Sequence, residues 1–260
     1  MSLALIQKLN AMLLAEMPEY RGQAAGVGET EEAQRNLLRA LMNVRPPLPL
    51  TEAFVRLQDE LLAAEREKHG VIDVTALSTA PSDERITLWQ GDITRLSADA
   101  IINAANAALL GCFIPCHRCI DNVIHSAAGL QLRAECAALM ERQGHPEETG
   151  TAKITQGYNL PARYVIHTVG PIVSGALTDE HRELLASCYR SCLHLAAEHG
   201  LRSIVFCCIS TGEFHFPNKE AAEIAVREVR AFLAQNKSME RVVFNVFKDE
   251  DRMIYERLLS

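Results

Sequence analysis

From Arg85 to the C-terminus, short runs rich in β-branched and apolar residues alternate with amphipathic helical stretches, and this alternation leaves few architectures open. Repeated strand-then-helix units pack as a sheet with helices on both faces, because each helix must bury its apolar stripe against the strands it connects. The pattern predicts strands at Ile86–Gln90, Ala100–Asn103, Ala152–Thr155, Tyr164–Thr168, Ser203–Ile209 and Arg241–Val246. It predicts helices near Asn122–Ala128, Leu130–Gln143, Glu180–His199, Lys219–Gln235 and Asp249–Leu259.

Residues 1–80 read differently. Leu3, Ile6, Leu9, Leu13 and Met17 share one helical face within a stretch running from Met1 to Met17. A second face carries Leu37, Leu38, Leu41 and Met42, and a third Phe54, Leu57, Leu61 and Leu62. Gly22, Gly26 and Gly28 punctuate the first gap, and Pro46, Pro47 and Pro49 close the second helix ahead of Thr51, a natural N-cap for the third. The expected organisation is a helical extension over 1–80, serving packing or an oligomer contact, followed by an α/β domain over 81–260.

A net charge of -7 argues against a chain that coats nucleic acid by neutralising phosphates. The first helical stretch has no basic start, apolar run and small-residue cleavage site, and no apolar run is long enough to span a bilayer; a cytoplasmic protein without membrane partners is expected. Of eight cysteines, three crowd between Cys112 and Cys119, which suggests metal binding or reactive thiols rather than a disulfide framework.

Three peptides follow predicted strands, where ligand loops belong in open α/β sheets. Gly91-Asp92-Ile93-Thr94 follows the first strand, Asn103-Ala104-Ala105-Asn106 lies at the end of the second, and Ser210-Thr211-Gly212-Glu213-Phe214 follows the strand ending at Ile209. Singly, each is explained by turn chemistry. The last can also wrap a diphosphate in free backbone N–H groups ahead of the next helix.

In order and spacing, the first two peptides resemble the macrodomain family of ADP-ribose binders, with the resemblance extending from about Arg85 to the C-terminus. It implies a three-layer α/β/α macrodomain with a mixed central sheet, preceded here by the helical region. It further implies that Asp92, with Ile93 beside it, meets the adenine, that Asn106 sits near the distal ribose, and that Ser210, Thr211, Gly212, Glu213 and Phe214 form the second phosphate loop.

The family's usual glycine-rich first phosphate loop is replaced by Gly111-Cys112-Phe113-Ile114-Pro115-Cys116-His117-Arg118-Cys119-Ile120-Asp121-Asn122. Cysteine thiolates and imidazole are ligands that zinc prefers, and a short loop carrying Cys, His and Cys can converge on one ion and leave a position open. The segment resembles the zinc-dependent macrodomain subgroup, which implies Cys112, His117 and Cys119 as the ligand set, with Cys116 as a surplus thiol. Asp121 has an ordinary explanation as a helix-start residue complementing the dipole; the resemblance aligns it with the catalytic aspartate of hydrolytic macrodomains, with Asn106 and Asn122 nearby.

Other residues read as structural. His125 and His167 are expected to be packed, hydrogen-bonded histidines, His145, Glu147 and Glu148 a solvated turn, and Cys136, Cys188, Cys192, Cys207 and Cys208 small buried hydrophobes. Thr149-Gly150 and Lys153–Gly157 resemble the family's site entrance and one of its strands.

The implied activity is zinc-dependent removal of mono-ADP-ribose from a protein side chain, most simply an ester to Asp or Glu. The alternatives are a non-catalytic reader of ADP-ribosylated proteins, a purely structural zinc closed by Cys116, and a deacetylase acting on O-acetyl-ADP-ribose. For the zinc subgroup the resemblance also implies work beside a sirtuin-type ADP-ribosyltransferase on a lipoyl-carrier protein.

Overall fold

The structure, a computed structural model, describes residues 3–260. It begins with helices α1 (Leu3–Glu16), α2 (Arg21–Ala24), α3 (Glu31–Val44) and α4 (Glu52–His69). Met1 and Ser2, where the first helix was expected to begin, lie outside the described residues. α3 and α4 start as the sequence dictates: Thr30 and Thr51 cap them by accepting from the Ala33 and Phe54 amides, each cap being worth about 1 kcal/mol. Ile6, Leu9, Leu13, Leu38, Leu41, Phe54 and Leu61 bury their apolar stripes in a small core of their own, into which Leu130 of the following domain also inserts.

A two-residue strand β1 (Ile72–Asp73) pairs with β3 (Leu96–Ser97), flanking β2 (Ile86–Gln90) in the chain. The remaining elements alternate: β4 (Ala100–Ala105), α5 (Ile120–Ala128), α6 (Leu130–Gln143), β5 (Ala152–Gln156), β6 (Tyr164–Val169), α7 (Asp179–Glu198), β7 (Ser203–Phe206), α8 (Asn218–Gln235), β8 (Arg241–Val246) and α9 (Asp249–Leu259). Six strands form one sheet in the order β2-β8-β7-β4-β6-β5. All neighbours are parallel except the edge strand β5, which runs antiparallel to β6, so the sheet is mixed. α5 and α6 cover one face, and α7, α8 and α9 pack side by side on the other. Ile101, Ile166, Val205 and Val243 sit at zero exposure, as strands buried on both faces require.

The strand predicted as Ser203–Ile209 ends earlier, at Phe206, and the reason bears on function. β4 pairs with β7 only at Ala100↔Ile204 and Ile101↔Val205. Beyond that point β4 continues along β6 as far as Ala105↔Val169, while 207–209 run on as buried loop. The two central strands thus part at their carboxyl ends, where the topology also switches direction, the place at which open α/β sheets form their ligand crevice.

Candidate active site

Four of the parallel strands deliver loops to this crevice or its margins. The chain leaves β4 through Asn106 and reaches the Cys/His loop after Gly111. Gly111 has a φ of 80°, and a Cβ there would lie 2.9 Å from the His125 ring, so both the turn and the close approach require glycine. The Cys112, His117 and Cys119 ligand atoms all lie within 4.8 Å of one another, with His117 Nδ1 3.7 Å from Cys112 Sγ. Cys116 is excluded from this group. Its φ of 55° turns it away, and its thiol faces the Asn36 carbonyl at 3.5 Å. Three convergent donors with the fourth thiol averted suit a metal site that keeps an open position.

Cys119 also caps α5, accepting from the Asn122 amide at 3.4 Å. Burial and the adjacent Cys112 sulfur push the Cys119 thiol up to about 12. A divalent ion would reverse that preference, because a coordinating thiol is deprotonated outright. The donor set therefore fits zinc.

Asp121 follows two residues after Cys119 on the first turn of α5 and is only 4% exposed. Asn103 Nδ2 donates to its Oδ1 at 2.8 Å and Asn106 Nδ2 approaches its Oδ2 at 3.3 Å. Burial raises its pKa to about 6, against the pull of the Asn103 hydrogen bond and the Arg133 charge. It is thus a carboxylate held by two amides and poised near neutrality, as general bases require. His125 Nε2 is 3.5 Å from Asp121 Oδ1, yet burial holds the imidazole far below its usual pKa, so the contact is dipolar and not an ion pair.

Across the crevice stands the loop from Ser210 to Phe214. Ser210 adopts a φ of 64°, and the loop closes on itself through Phe216 N–H to the Ser210 carbonyl and His215 N–H to the Gly212 carbonyl. Among the described residues no hydrogen bond occupies the amides of Thr211, Gly212, Glu213 or Phe214, leaving a row of donors for an anion. Glu213 Oε1 lies 3.8 Å from His117 Nε2, so the two loops meet. Asp92 is exposed at the far side, its Oδ1 accepting from the Thr94 amide and hydroxyl. It borders a cavity of about 170 Å³ whose walls include Arg39, Thr94, Val123 and Ala127, while Ile93 beside it is buried.

Several residues behave differently from the sequence reading. Asn122, expected at the ligand, is wholly buried and used otherwise: its Nδ2 donates to the Cys112 and Ile114 carbonyls at 3.3 and 3.0 Å, and its Oδ1 accepts from Arg39 and Ser126. Glu147, expected in a solvated turn, is buried, bonded by Gln143 and Thr151 and paired with Lys153. His125 is packed as expected, but among the described residues neither of its ring nitrogens has a hydrogen-bond partner. His167 is a satisfied core histidine, between Asn103 Nδ2 at 3.1 Å and Thr155 Oγ1 at 2.9 Å. His125, Cys136 and His167 form a second potential ligand group. Because His167 spends both nitrogens on those partners, this group is a hydrogen-bonded core and not a metal centre.

Two important residues escaped the sequence reading. Asn103 was seen only as part of a peptide, although a carboxamide inside an otherwise apolar strand demands a buried partner. Arg133 is 3% exposed and ties the N-terminal helices to the α/β part of the chain, donating to the carbonyls of Leu110, Met42 and Arg45 while its guanidinium lies over the Phe113 ring. No local pattern marks it.

A mixed sheet between two helical layers, with donor-rich loops meeting where its central strands part, defines a domain that binds a nucleotide-like ligand at the carboxyl ends of its strands. The Macro domain family model matches residues 102–225. A protein-ADP-ribose hydrolase of Treponema medium is 52% identical over 95% of this chain and 95% of its own, and one from Staphylococcus aureus is 50% identical over 86% and 84%. Among solved structures, a Trypanosoma brucei macrodomain in complex with ADP-ribose is similar at 33% identity with a TM-score of 0.67, covering 85% of this chain and 95% of that one. An Oceanobacillus iheyensis macrodomain with ADP is similar at 40% identity with a TM-score of 0.59, covering 65% of this chain and 87% of that one. This chain belongs to the macrodomain family. Among its described residues no helix is long and apolar enough to cross a membrane.

Proposed function

We propose that this chain is a zinc-dependent protein-ADP-ribose hydrolase that removes mono-ADP-ribose from acidic side chains. The observation that carries the reading is the buried Asp121 carboxylate, held by Asn103 and Asn106 two residues on from Cys119 of the convergent Cys112, His117 and Cys119 group. The names of relatives sharing about half of this sequence over most of its length support the same activity.

In this reading the free amides of Thr211 to Phe214 hold the diphosphate, Phe214 lies against the ribose, and Asp92, with Ile93, receives the adenine. Asn106 stands between the distal ribose and Asp121. Cys112, His117 and Cys119 would hold a zinc ion, which when bound would supply Lewis acidity beside the distal ribose. Asp121, ionised in most molecules above its pKa of about 6, accepts a proton from the attacking water at a carboxylate oxygen. Water adds across the ester, returning a carboxyl side chain and free ADP-ribose. The averted Cys116 favours an open catalytic position over a closed structural zinc. The protein partner is a mono-ADP-ribosylated protein, and a lipoyl-carrier protein is the candidate to try first.

Asp121→Ala tests this directly. Turnover of a mono-ADP-ribosylated substrate should fall by roughly 10²–10⁴-fold, the usual worth of a general base, while ADP-ribose affinity changes little. Turnover within threefold of wild type would remove Asp121 from the chemistry.

A further inference from the structure

The Cys/His loop is held by a helix from outside the domain that carries it. Asn36, Arg39 and Asn43 stand three and four residues apart on α3, and therefore share one face. Each grips the loop. The Asn36 carbonyl accepts from Cys116 Sγ at 3.5 Å, and Asn43 Oδ1 accepts from the Cys116 amide at 2.9 Å. Arg39 Nη2 donates to the His117 carbonyl and to Asn122 Oδ1, both at 2.9 Å. Asn43 also reaches Ser126, which donates to Asn122, and Asn122 in turn holds the Cys112 and Ile114 carbonyls. One connected network thus fixes the loop backbone at 112, 114, 116 and 117.

We propose that this face of α3 is the positioning element of the metal loop. The proposal rests on the reading of Cys112, His117 and Cys119 as zinc ligands. A loop that contains a proline and a residue at positive φ, with a single backbone turn from the His117 N–H to the Ile114 carbonyl, holds three separated donors together only if something else sets the backbone between them. α3 supplies that constraint. Arg39 has no carboxylate partner among the described residues, and its guanidinium is spent on two oxygens of the loop and its flanking helix. The cavity beside Asp92 is also walled by Arg39, so α3 touches both margins of the crevice. The N-terminal helices therefore belong to the working unit of the protein, where the sequence suggested only packing.

The test compares the zinc-loaded full chain with Arg39→Met, Arg39→Lys, Asn43→Ala and Arg35→Met. Arg35 lies on the same helix but pairs with Glu65 of α4 and does not touch the loop. Two readouts are followed: the rate of zinc release to a chromogenic chelator, and amide hydrogen exchange over residues 112–119. Arg39→Met and Asn43→Ala should each release zinc roughly 10–100-fold faster, as loss of groups supporting metal ligands does, with faster exchange across the loop. Arg39→Lys, which keeps the charge and one donor nitrogen on a shorter side chain, should fall between. Arg35→Met should lower the thermal midpoint yet leave both readouts at wild-type values. Equal acceleration by Arg35→Met and Arg39→Met would reduce α3 to a packing element, and wild-type behaviour of both Arg39→Met and Asn43→Ala would overturn the proposal outright. If the wild type holds no zinc, the ligand assignment fails by itself, and exchange over 112–119 still decides the role of α3.

Discussion

Gly170 leaves β6 with its backbone against the start of the second loop, and replacing it by alanine probes the crevice through a single methyl group. A Cβ at Gly170 would overlap Ser210 Oγ, lie 2.9 Å from Ile209 Cγ2 and 3.3 Å from Ser210 Cβ. Rotating the serine frees its hydroxyl but moves neither of the other two atoms, so the backbone at 209 and 210 must shift. Overpacking of this kind costs about 1–3 kcal/mol. Ser210 offers a way to test the cause. At a φ of 64° a non-glycine residue is strained by roughly 1–2 kcal/mol, and its buried hydroxyl has no partner to lose. Ser210→Gly relieves that strain but frees the unfolded chain, so its stability should stay within about 1 kcal/mol of wild type. The double variant should recover at least about 0.5 kcal/mol relative to the sum of the singles, with the Ile209 contact keeping it short of wild type. Urea denaturation measures the cycle, and calorimetric titration with ADP-ribose should show Gly170→Ala binding at least roughly tenfold more weakly, about 1.4 kcal/mol. Additive effects, or a Gly170→Ala protein indistinguishable from wild type, would refute the close approach between these segments.

Cys119→Ala should lower zinc content far more than Cys136→Ala, because Cys119 belongs to the convergent donor group and Cys136 is sealed in the core beside His167; equal losses by metal analysis would mean that packing has been mistaken for ligation. Asp99 tests the electrostatics at the amino-terminal ends of the central strands: partial burial opposes its ionisation, but the amides of Arg202 and Ser203, with Arg163, outweigh that and hold its carboxyl below the usual range. A depressed folded pKa adds stability that is present above about pH 4 and is lost as pH falls through the folded value. Asp99→Asn should therefore lower the urea midpoint at pH 7 with the difference shrinking toward pH 3, and a pH-independent difference would show that the charge is not the cause.

Periodicity carried most of the fold, because the strands are buried on both faces and read as apolar runs, and Thr30 and Thr51 cap their helices by local chemistry alone. The end of β7 was not legible, since 207–209 are as apolar as the strand before them and only the divergence from β4 stops the pairing. Ligand type and crowding marked the Cys/His loop, the family resemblance implied Cys112, His117 and Cys119 within it, and the structure brings those three together. What Asn122 does was not, because its partners are carbonyls of the loop and a guanidinium 83 residues away, which no local pattern encodes. Glu147 was misread for the same reason: its burial depends on Lys153, Gln143 and Thr151 folding around it.

The central claim is that this chain cleaves ADP-ribose from proteins using a metal held in the Cys/His loop. Its most direct test is release of ADP-ribose from mono-ADP-ribosylated Glu and Arg protein substrates by purified protein, with chelator, without it, and with zinc restored. The account predicts release from the acidic linkage, loss of that release on chelation, and recovery with zinc, while circular dichroism of the same samples shows the fold intact. A zinc-containing protein that binds ADP-ribose tightly yet frees none from Asp, Glu, Ser or Arg conjugates would contradict it and leave a reader of the modification in its place.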